Sequence, residues 1–583
     1  MCGSAAILRD EQSVEPAVRA ALKLLESRGP DGSGVIISGS GALGHCRLSL
    51  RDFAGGAQPL RLADGRTLAF VGEIYNDEKL RQLLQLNGWT PANHSDTEIL
   101  AEAVTRYDNA AWERLDGMFA VMLLSADGRA LEIIRDRFGI KPAYFSVSGT
   151  SVAAASEPAA VIELTGRQSA ARAVVLHFLQ TSQVASNGST VWRNIQLAPP
   201  GSTTTLTTNS IRQDTWAPRM LTHHESGDDS ANPAKLLYLL GEAVYRQARA
   251  DFPIGVFLSG GLDSSLLAAL YARQNAAPIH TFAVALAGDT DDLQHAQRVA
   301  EQIGSTHRAA IVSIEDFFTG MRDLTVQRGL PVSLPNEVLI YRLAQVASRE
   351  VKAVLSGEGA DELFSGYQRL LARLRQSAHP QADMPSAFRA ATTWFSADDL
   401  RNSLRSVDDL ESLQYTDHAA LGAQLEGVPL EQAPRALLLA DHFPHLLMRL
   451  DGASMAGSIE GRVPFTDPDV VQFALSLSAH DLRPQFGLEK PILRKAGVGL
   501  LSESCLRRPK RAFHASLPLL FSSSVGQSVL KRALQQPLIA QLFDQESLER
   551  LLNEDFRNQV FHRTWLICSL GMWCELCRVN EIN

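Results

Sequence analysis

At 583 residues the chain is too long for one hydrophobic core, and two or more domains are expected. Its 45% hydrophobic and 20% charged residues are those of an ordinary globular protein, and no apolar run reaches the roughly 20 residues that cross a bilayer. The net charge of −9 comes from 64 acids and 55 Lys and Arg spread without a basic block, which argues against nucleic acid as a partner, and six cysteines are too sparse for a disulfide framework. The N-terminus MCGSAAILRD lacks the regions of a signal peptide, so a cytoplasmic location is expected.

The first 215 residues contain short β-like runs broken by glycine: ALGHCRLSL, TLAFVGEIYN, GMFAVMLLS and ALEIIRD. Many of these strands are expected to be antiparallel, with helices near 15–27 and 96–107. Removal of Met1 would make Cys2 the first residue, with its thiol beside a free α-amine. That amine titrates near ~8 and the thiol near ~8.5, so the amine can act as a local base. The polar, aperiodic segment 221–232 is expected to be a linker between domains at 2–215 and 232–583.

Beyond it the pattern changes to strand, glycine turn and helix, in IGVFLSGGLDSSLLAALYARQ, HTFAVAL, a helix near 292–304 and VKAVLSGEGADELFSGY. This alternation predicts a parallel sheet with ligands beyond the carboxyl ends of its strands. In SGGLDSS (259–265) two glycines let the backbone approach a ligand, and the N–H groups of a helix start attract phosphate. The motif is neither a Walker A loop nor a GxGxxG turn. Glu358, Asp361 and Glu362 in SGEGADELFSGY follow another strand, where acids can bind a metal or accept a proton. From about 380 onward the chain is expected to be mostly helical. Cys568, Cys574 and Cys577 lie in a stretch that suggests a buried helix, where cysteine is a small core residue. His45 and Cys46 are expected to point to opposite faces of one strand and so not to act together.

SGGLDSS followed by SGEGADE, DGASMAGSIEGRVPFTD, KPILRKA and RRPKRAF resembles the synthetase domain of glutamine-dependent asparagine synthetases. The resemblance implies an α/β parallel-sheet ATP pyrophosphatase domain with a helical C-terminal part. It implies ATP contacts at Phe257, Leu258, Ser259, Gly260, Gly261, Asp263, Ser264, Ser265, Val284, Ser356 and Gly357. It also links Glu358 to acyl-adenylate formation, Lys510 to the phosphates or the intermediate, and Asp263 with Asp361 to Mg²⁺.

RGPDG, HCRLSL, GAQPL, GEIYN, SDTE and RDRFGIKPAYF occur in the order seen in class II glutamine amidotransferases. This resemblance implies an N-terminal-nucleophile sandwich, αββα, with two β-sheets between helical layers. Cys2 would be the nucleophile and Arg47 would take the glutamine carboxylate, with Leu48, Ser49, Gly72, Glu73 and Asp96 around the rest of the glutamine. The family's NGEIYN has Val71 in place of its asparagine, a donor to the oxyanion. Losing such a donor costs on the order of 3 kcal/mol, about a hundredfold in rate. Gly72 N–H remains, so the expectation is a slow glutaminase for which free ammonia can substitute.

Aspartate is the acceptor the resemblance implies first. The segment 328–341, RGLPVSLPNEVLIY, matches the family's aspartate-binding stretch poorly. A uronic acid, peptide or antibiotic-precursor carboxylate is the second expectation, and an amide-forming cyclase with an idle glutaminase domain the third. The two domains are expected to enclose an ammonia tunnel with Glu73 near its mouth, and a homodimer is implied by resemblance alone.

Overall fold

The computed structural model describes residues 2–9, 14–53, 55–166, 168–217, 232–377, 384–408, 410–478 and 480–582. Nearly all of the expected linker at 221–232 lies outside the described residues.

In chain order the first half contains β1 (Cys2–Arg9), α1 (Val14–Leu24), β2 (Gly32–Ser38), β3 (Gly41–Arg47), β4 (Leu60–Arg61) and β5 (Thr67–Ile74). Then come α2 (Asp77–Leu86), α3 (Asp96–Tyr107), β6 (Gly117–Leu124), β7 (Leu131–Arg135), β8 (Tyr144–Ser148), β9 (Ser151–Ala155), α4 (Pro158–Thr165) and α5 (Arg172–Thr181). Short strands β10 (Ala185–Ser186), β11 (Ser189–Thr190) and β12 (Gln196–Leu197) precede the hairpin β13 (Ser202–Thr207) and β14 (Ser210–Thr215).

These strands form two antiparallel sheets, ordered β10-β11-β12-β8-β9-β1-β3-β2 and β14-β13-β7-β6-β5-β4. Strand alternation sends Ala6, Leu8 and Leu43 of one sheet against Ala69, Ala120 and Met122 of the other. The outer face of the first sheet carries α1 and α4. That of the second buries Leu68, Phe70 and Ile74 against Leu80, Leu84, Ile99 and Leu100 of α2 and α3. The result is the αββα sandwich. His45 points into its interior and bonds Phe70 O through Nε2 at 3.1 Å, while Cys46 Sγ faces α1 and donates to Leu25 O at 3.2 Å.

The second half contains α6 (Pro233–Gln247), β15 (Ile254–Phe257), α7 (Leu262–Arg273), β16 (His280–Leu286), α8 (Asp291–Ile303), β17 (Thr306–Val312), α9 (Ile314–Arg328), α10 (Pro335–Ala347), β18 (Ala353–Leu355) and α11 (Ala360–Leu363). Among the described residues one strand interrupts the helical remainder, β19 (Glu460–Arg462). It completes a parallel sheet of order β17-β16-β15-β18-β19. Three residues are too few to show a period of two, so sequence patterning could not reveal this strand. Helix His562–Cys577 runs through the core, with Trp565, Trp573, Cys568 and Cys574 buried.

The halves meet through buried charges. Arg28 pairs with Glu157 at 2.6 Å and with Asp451 at 2.8 Å, and Lys141 reaches the other Asp451 oxygen at 2.9 Å. Arg328 joins them by pairing with Glu337 and, at 3.6 Å, with Glu157. Such pairs add little net stability over apolar packing, but losing one partner strands the others in a low dielectric.

Candidate active site

Cys2 heads β1, opposite Arg47 at the end of β3, and is 7% exposed. Burial pushes its thiol up, while a hydrogen bond from the Leu48 backbone and the charge of Arg47 work against that rise and Glu460 adds to it. Its proton therefore needs a local acceptor. Leu48 is buried, and Ser49 N–H donates to Asp31 Oδ2 at 2.7 Å.

Arg47 does not present an open fork. Its guanidinium donates to the carbonyls of Phe53 at 2.9 Å, Arg51 at 2.8 Å and Asp52 at 2.7 Å, closing the loop that follows HCRLSL.

Strand β5 carries three of the expected glutamine-site residues, Val71, Gly72 and Glu73. Tyr75 N–H donates to Asp116 O, so odd-numbered residues bond β6 and the even-numbered N–H groups face the other side of the strand, which β4 covers only at Thr67 and Leu68. There Phe70 N–H meets Gln58 Oε1 at 2.7 Å and Ile74 N–H meets Asp96 Oδ2 at 3.2 Å. Gly72 N–H points between them. A side chain at Gly72 is impossible, because φ is +147° and a Cβ would lie 2.0 Å from Met118 O. Val71 faces the other sheet, in one apolar cluster with Cys2, Leu48 and Tyr75. Asp96 owes its position to helix capping: Ser95 caps α3 by accepting from Glu98 N, which sets Asp96 in the first turn beside β5.

Glu73 is 4% exposed and lies between two arginines, Arg51 Nε at 3.3 Å and Arg462 Nη2 at 3.2 Å. Burial raises its carboxyl to about 7 against the pull of both. Sequence reasoning missed both arginines. Arg51 sits one residue past HCRLSL, and Arg462 lies within the matched EGRVPF run.

The second site is a cavity of about 190 Å³ at the carboxyl ends of β15, β16 and β18. Phe257, Leu258, Ser259, Gly261, Asp263, Ser264, Val284, Ser356 and Gly357 line it. Two expected ATP residues do not. Gly260, at φ +68°, packs on α8 with no room for a Cβ, and Ser265 is fully buried one step further into α7. Gly261 begins α7 without a side-chain cap, leaving first-turn N–H groups for an anion.

Around this helix start, Lys490 bridges Asp263 at 2.6 Å and Asp361 at 2.5 Å, and Lys510 also reaches Asp361 at 2.5 Å. Burial opposes ionisation of Asp361, but the two ammonium groups outweigh it and hold the carboxyl down to about 2. Lys510 also lies 4.3 Å from the centre of the Tyr367 ring. Glu358 is paired with Arg449, whose Nη1 donates to Asn336 Oδ1 at 3.0 Å. Arg508 donates to Gly260 O at 2.8 Å and pairs with Asp292 at 2.5 Å. Lys490, Arg449 and Arg508 were not singled out from sequence, although Lys490 opens the matched KPILRKA. In 328–341 both charged residues, Arg328 and Glu337, are engaged in the network between the halves.

The glutamine amidotransferase domain family matches residues 1–217, and the asparagine synthase family matches residues 235–575. The chain is 27% identical to glutamine-hydrolyzing asparagine synthetase 3 of Bacillus subtilis (strain 168) over 570 residues, covering 91% of this chain and 89% of that one. It is 30% identical to a putative glutamine-hydrolyzing asparagine synthetase of Mycobacterium bovis, covering 85% and 83%. A third relative, from Triphysaria versicolor, is 29% identical over 85% and 74% of the two chains. With a family match over most of its second half and an amidotransferase match over its first, the chain belongs to the asparagine synthase family.

Proposed function

We propose that the chain is a cytoplasmic, glutamine-dependent asparagine synthetase that hydrolyses glutamine at Cys2 and passes ammonia to an acyl-adenylate. The observation that carries this reading is the second cavity, where an uncapped helix start meets Lys490, Lys510, Asp263 and Asp361. In the first half the free amine of Cys2 takes the thiol proton. The thiolate then attacks the glutamine amide carbon, with Gly72 N–H donating to the oxyanion. Ammonia leaves, and water hydrolyses the thioester to glutamate. Glu73 and Asp96 are the acids for the glutamine ammonium, and Arg47 attracts its carboxylate while holding the loop over it.

In the second half the acceptor carboxylate attacks the α-phosphorus of ATP and pyrophosphate leaves. Ammonia displaces AMP from the acyl-adenylate. Lys490, Lys510 and the α7 N-terminus neutralise the phosphates. In this reading Glu358, which pairs with Arg449, handles a proton at the reacting carbonyl. Asp263 Oδ1 is buried without a hydrogen-bond partner, and with Asp361 it offers the hard oxygens that suit Mg²⁺. When bound, Mg²⁺ supplies charge neutralisation on the phosphate oxygens.

The test is pyrophosphate release from ATP and Mg²⁺ with glutamine, comparing aspartate with no acceptor. Aspartate-dependent release with asparagine formed is expected. Release only with other carboxylates would retain the amidotransferase class and reject aspartate. That second reading has an observation in its favour. The stretch 329–336, GLPVSLPN, contains no charged residue, and Arg328 and Glu337 at its borders are committed elsewhere.

Val71→Asn should restore a second oxyanion donor. Glutamine hydrolysis is expected to rise by about tenfold to a hundredfold, with ammonia-supported synthesis unchanged. Steady-state glutamate release measures it, and an unchanged rate would mean that Gly72 N–H alone suffices.

A further inference from the structure

Strand β19 belongs to the synthetase sheet, yet its charged side chains point at the glutaminase site. Glu460 and Arg462 are fully buried. The Arg462 guanidinium is fixed from three sides: Nη1 donates to Gln247 O at 2.7 Å and Arg249 O at 2.9 Å, and Nε donates to Glu460 Oε1 at 2.5 Å. Its remaining nitrogen faces Glu73 Oε1 at 3.2 Å. Its own carbonyl accepts from Ser356 N–H at 2.8 Å, the residue that opens the loop carrying Glu358. One residue therefore touches the adenylation loop with its main chain and the glutamine site with its side chain.

A guanidinium anchored this way cannot swing, so β19 fixes one side of the Glu73 carboxylate, whose other oxygen lies 3.3 Å from Arg51 Nε. We infer that Arg462 is a positioning residue for glutamine binding, supplied to the glutaminase half by the synthetase half. The inference rests on Glu73 binding glutamine as proposed above.

The groups facing Glu73 are Arg51, Asp96, Tyr75, Glu460 and Arg462, and Asp77 pairs with Arg51 behind them. Burial is the largest influence on Glu73 and holds its carboxyl near about 7, with Arg462 the strongest opposing charge. A glutamine ammonium needs the ionised form, so binding should strengthen as pH rises through that value. Removing the Arg462 charge moves the midpoint up, and removing the Glu460 charge moves it down.

The experiment measures glutamine Kd by calorimetry between pH 5.5 and 8.5 in the full-length Cys2→Ala protein, alone and with Arg462→Gln or Glu460→Gln. ATP·Mg²⁺ binding serves as the fold control. Arg462→Gln should raise the midpoint by about one pH unit, which weakens binding at pH 7 by about fivefold and restores it near pH 8.5. Glu460→Gln should lower the midpoint, and this arm stands if Arg462→Gln does not fold. An unmoved midpoint in folded Glu460→Gln, or a pH-independent loss in folded Arg462→Gln, overturns the inference alone. Absence of glutamine binding at every pH without either substitution would instead overturn the proposed function and this inference with it.

Discussion

Cys2→Ala is expected to abolish glutamine-supported amide formation, by roughly 10⁴-fold or more, and to leave ammonia-supported synthesis within about twofold. The asymmetry follows from the separation of the two chemistries. No neighbour can replace the lost nucleophile. Cys46 Sγ faces Gly3 O and Leu25 O, and burial pushes its thiol up to about 12. Burial pulls His45 down to about 3, and it faces the interior between the sheets. Parallel assays of glutamate and pyrophosphate release, with glutamine or with ammonium, decide the matter. Glutamate release surviving in the alanine protein would remove Cys2 from the proposed mechanism.

The largest stability effect is expected at Asp451. This carboxylate is 1% exposed and is shared by Arg28 and Lys141 of the other half. Asp451→Ala leaves two buried cations without that partner, a loss of about 3–5 kcal/mol. Thermal and urea unfolding should both shift, and the glutaminase half should loosen from its partner domain. A double replacement with Arg28→Met should recover part of the loss, because it removes a stranded charge as well. Burial acts to raise the Asp451 carboxyl, but Arg28 and Lys141 outweigh it, so it titrates below the usual range. A depressed folded-state value stabilises above the unfolded pKa of about 3.9, and that stability is lost as pH falls through the folded value. Wild type should therefore lose stability more steeply with acid than Asp451→Ala does. Equal acid sensitivity would mean that Asp451 is not the group that titrates.

Chemistry at the site was legible wherever a short run carried both the residue and the turn that positions it. SGGLDSS contains strand end, glycines and helix start, and the structure turns it into the uncapped start of α7. SDTE contains the cap that presents Asp96. Residues whose role depends on a distant partner had no such signal. Lys490 gains meaning only from Asp263 and Asp361, far away in sequence. Arg51 and Arg462 gain it from converging on Glu73. The Arg47 guanidinium, expected to take the glutamine carboxylate, is turned by the loop carbonyls that fold back onto it.

By itself the amino-acid sequence determined the two-part organisation, the antiparallel and then parallel strand pattern, and the order of the chemical motifs. Those are local properties: side-chain alternation, glycine turns and helix starts act within a few residues. Tertiary structure alone decided that a three-residue strand after a long helical stretch would add to the edge of the parallel sheet, and that its Arg462 would reach Glu73 in the first half. It alone also decided that Arg28, Lys141, Glu157, Arg328, Glu337 and Asp451 would share one buried network. Charges attract at short range through space whatever their separation along the chain, and no local pattern encodes which of them the fold will bring together.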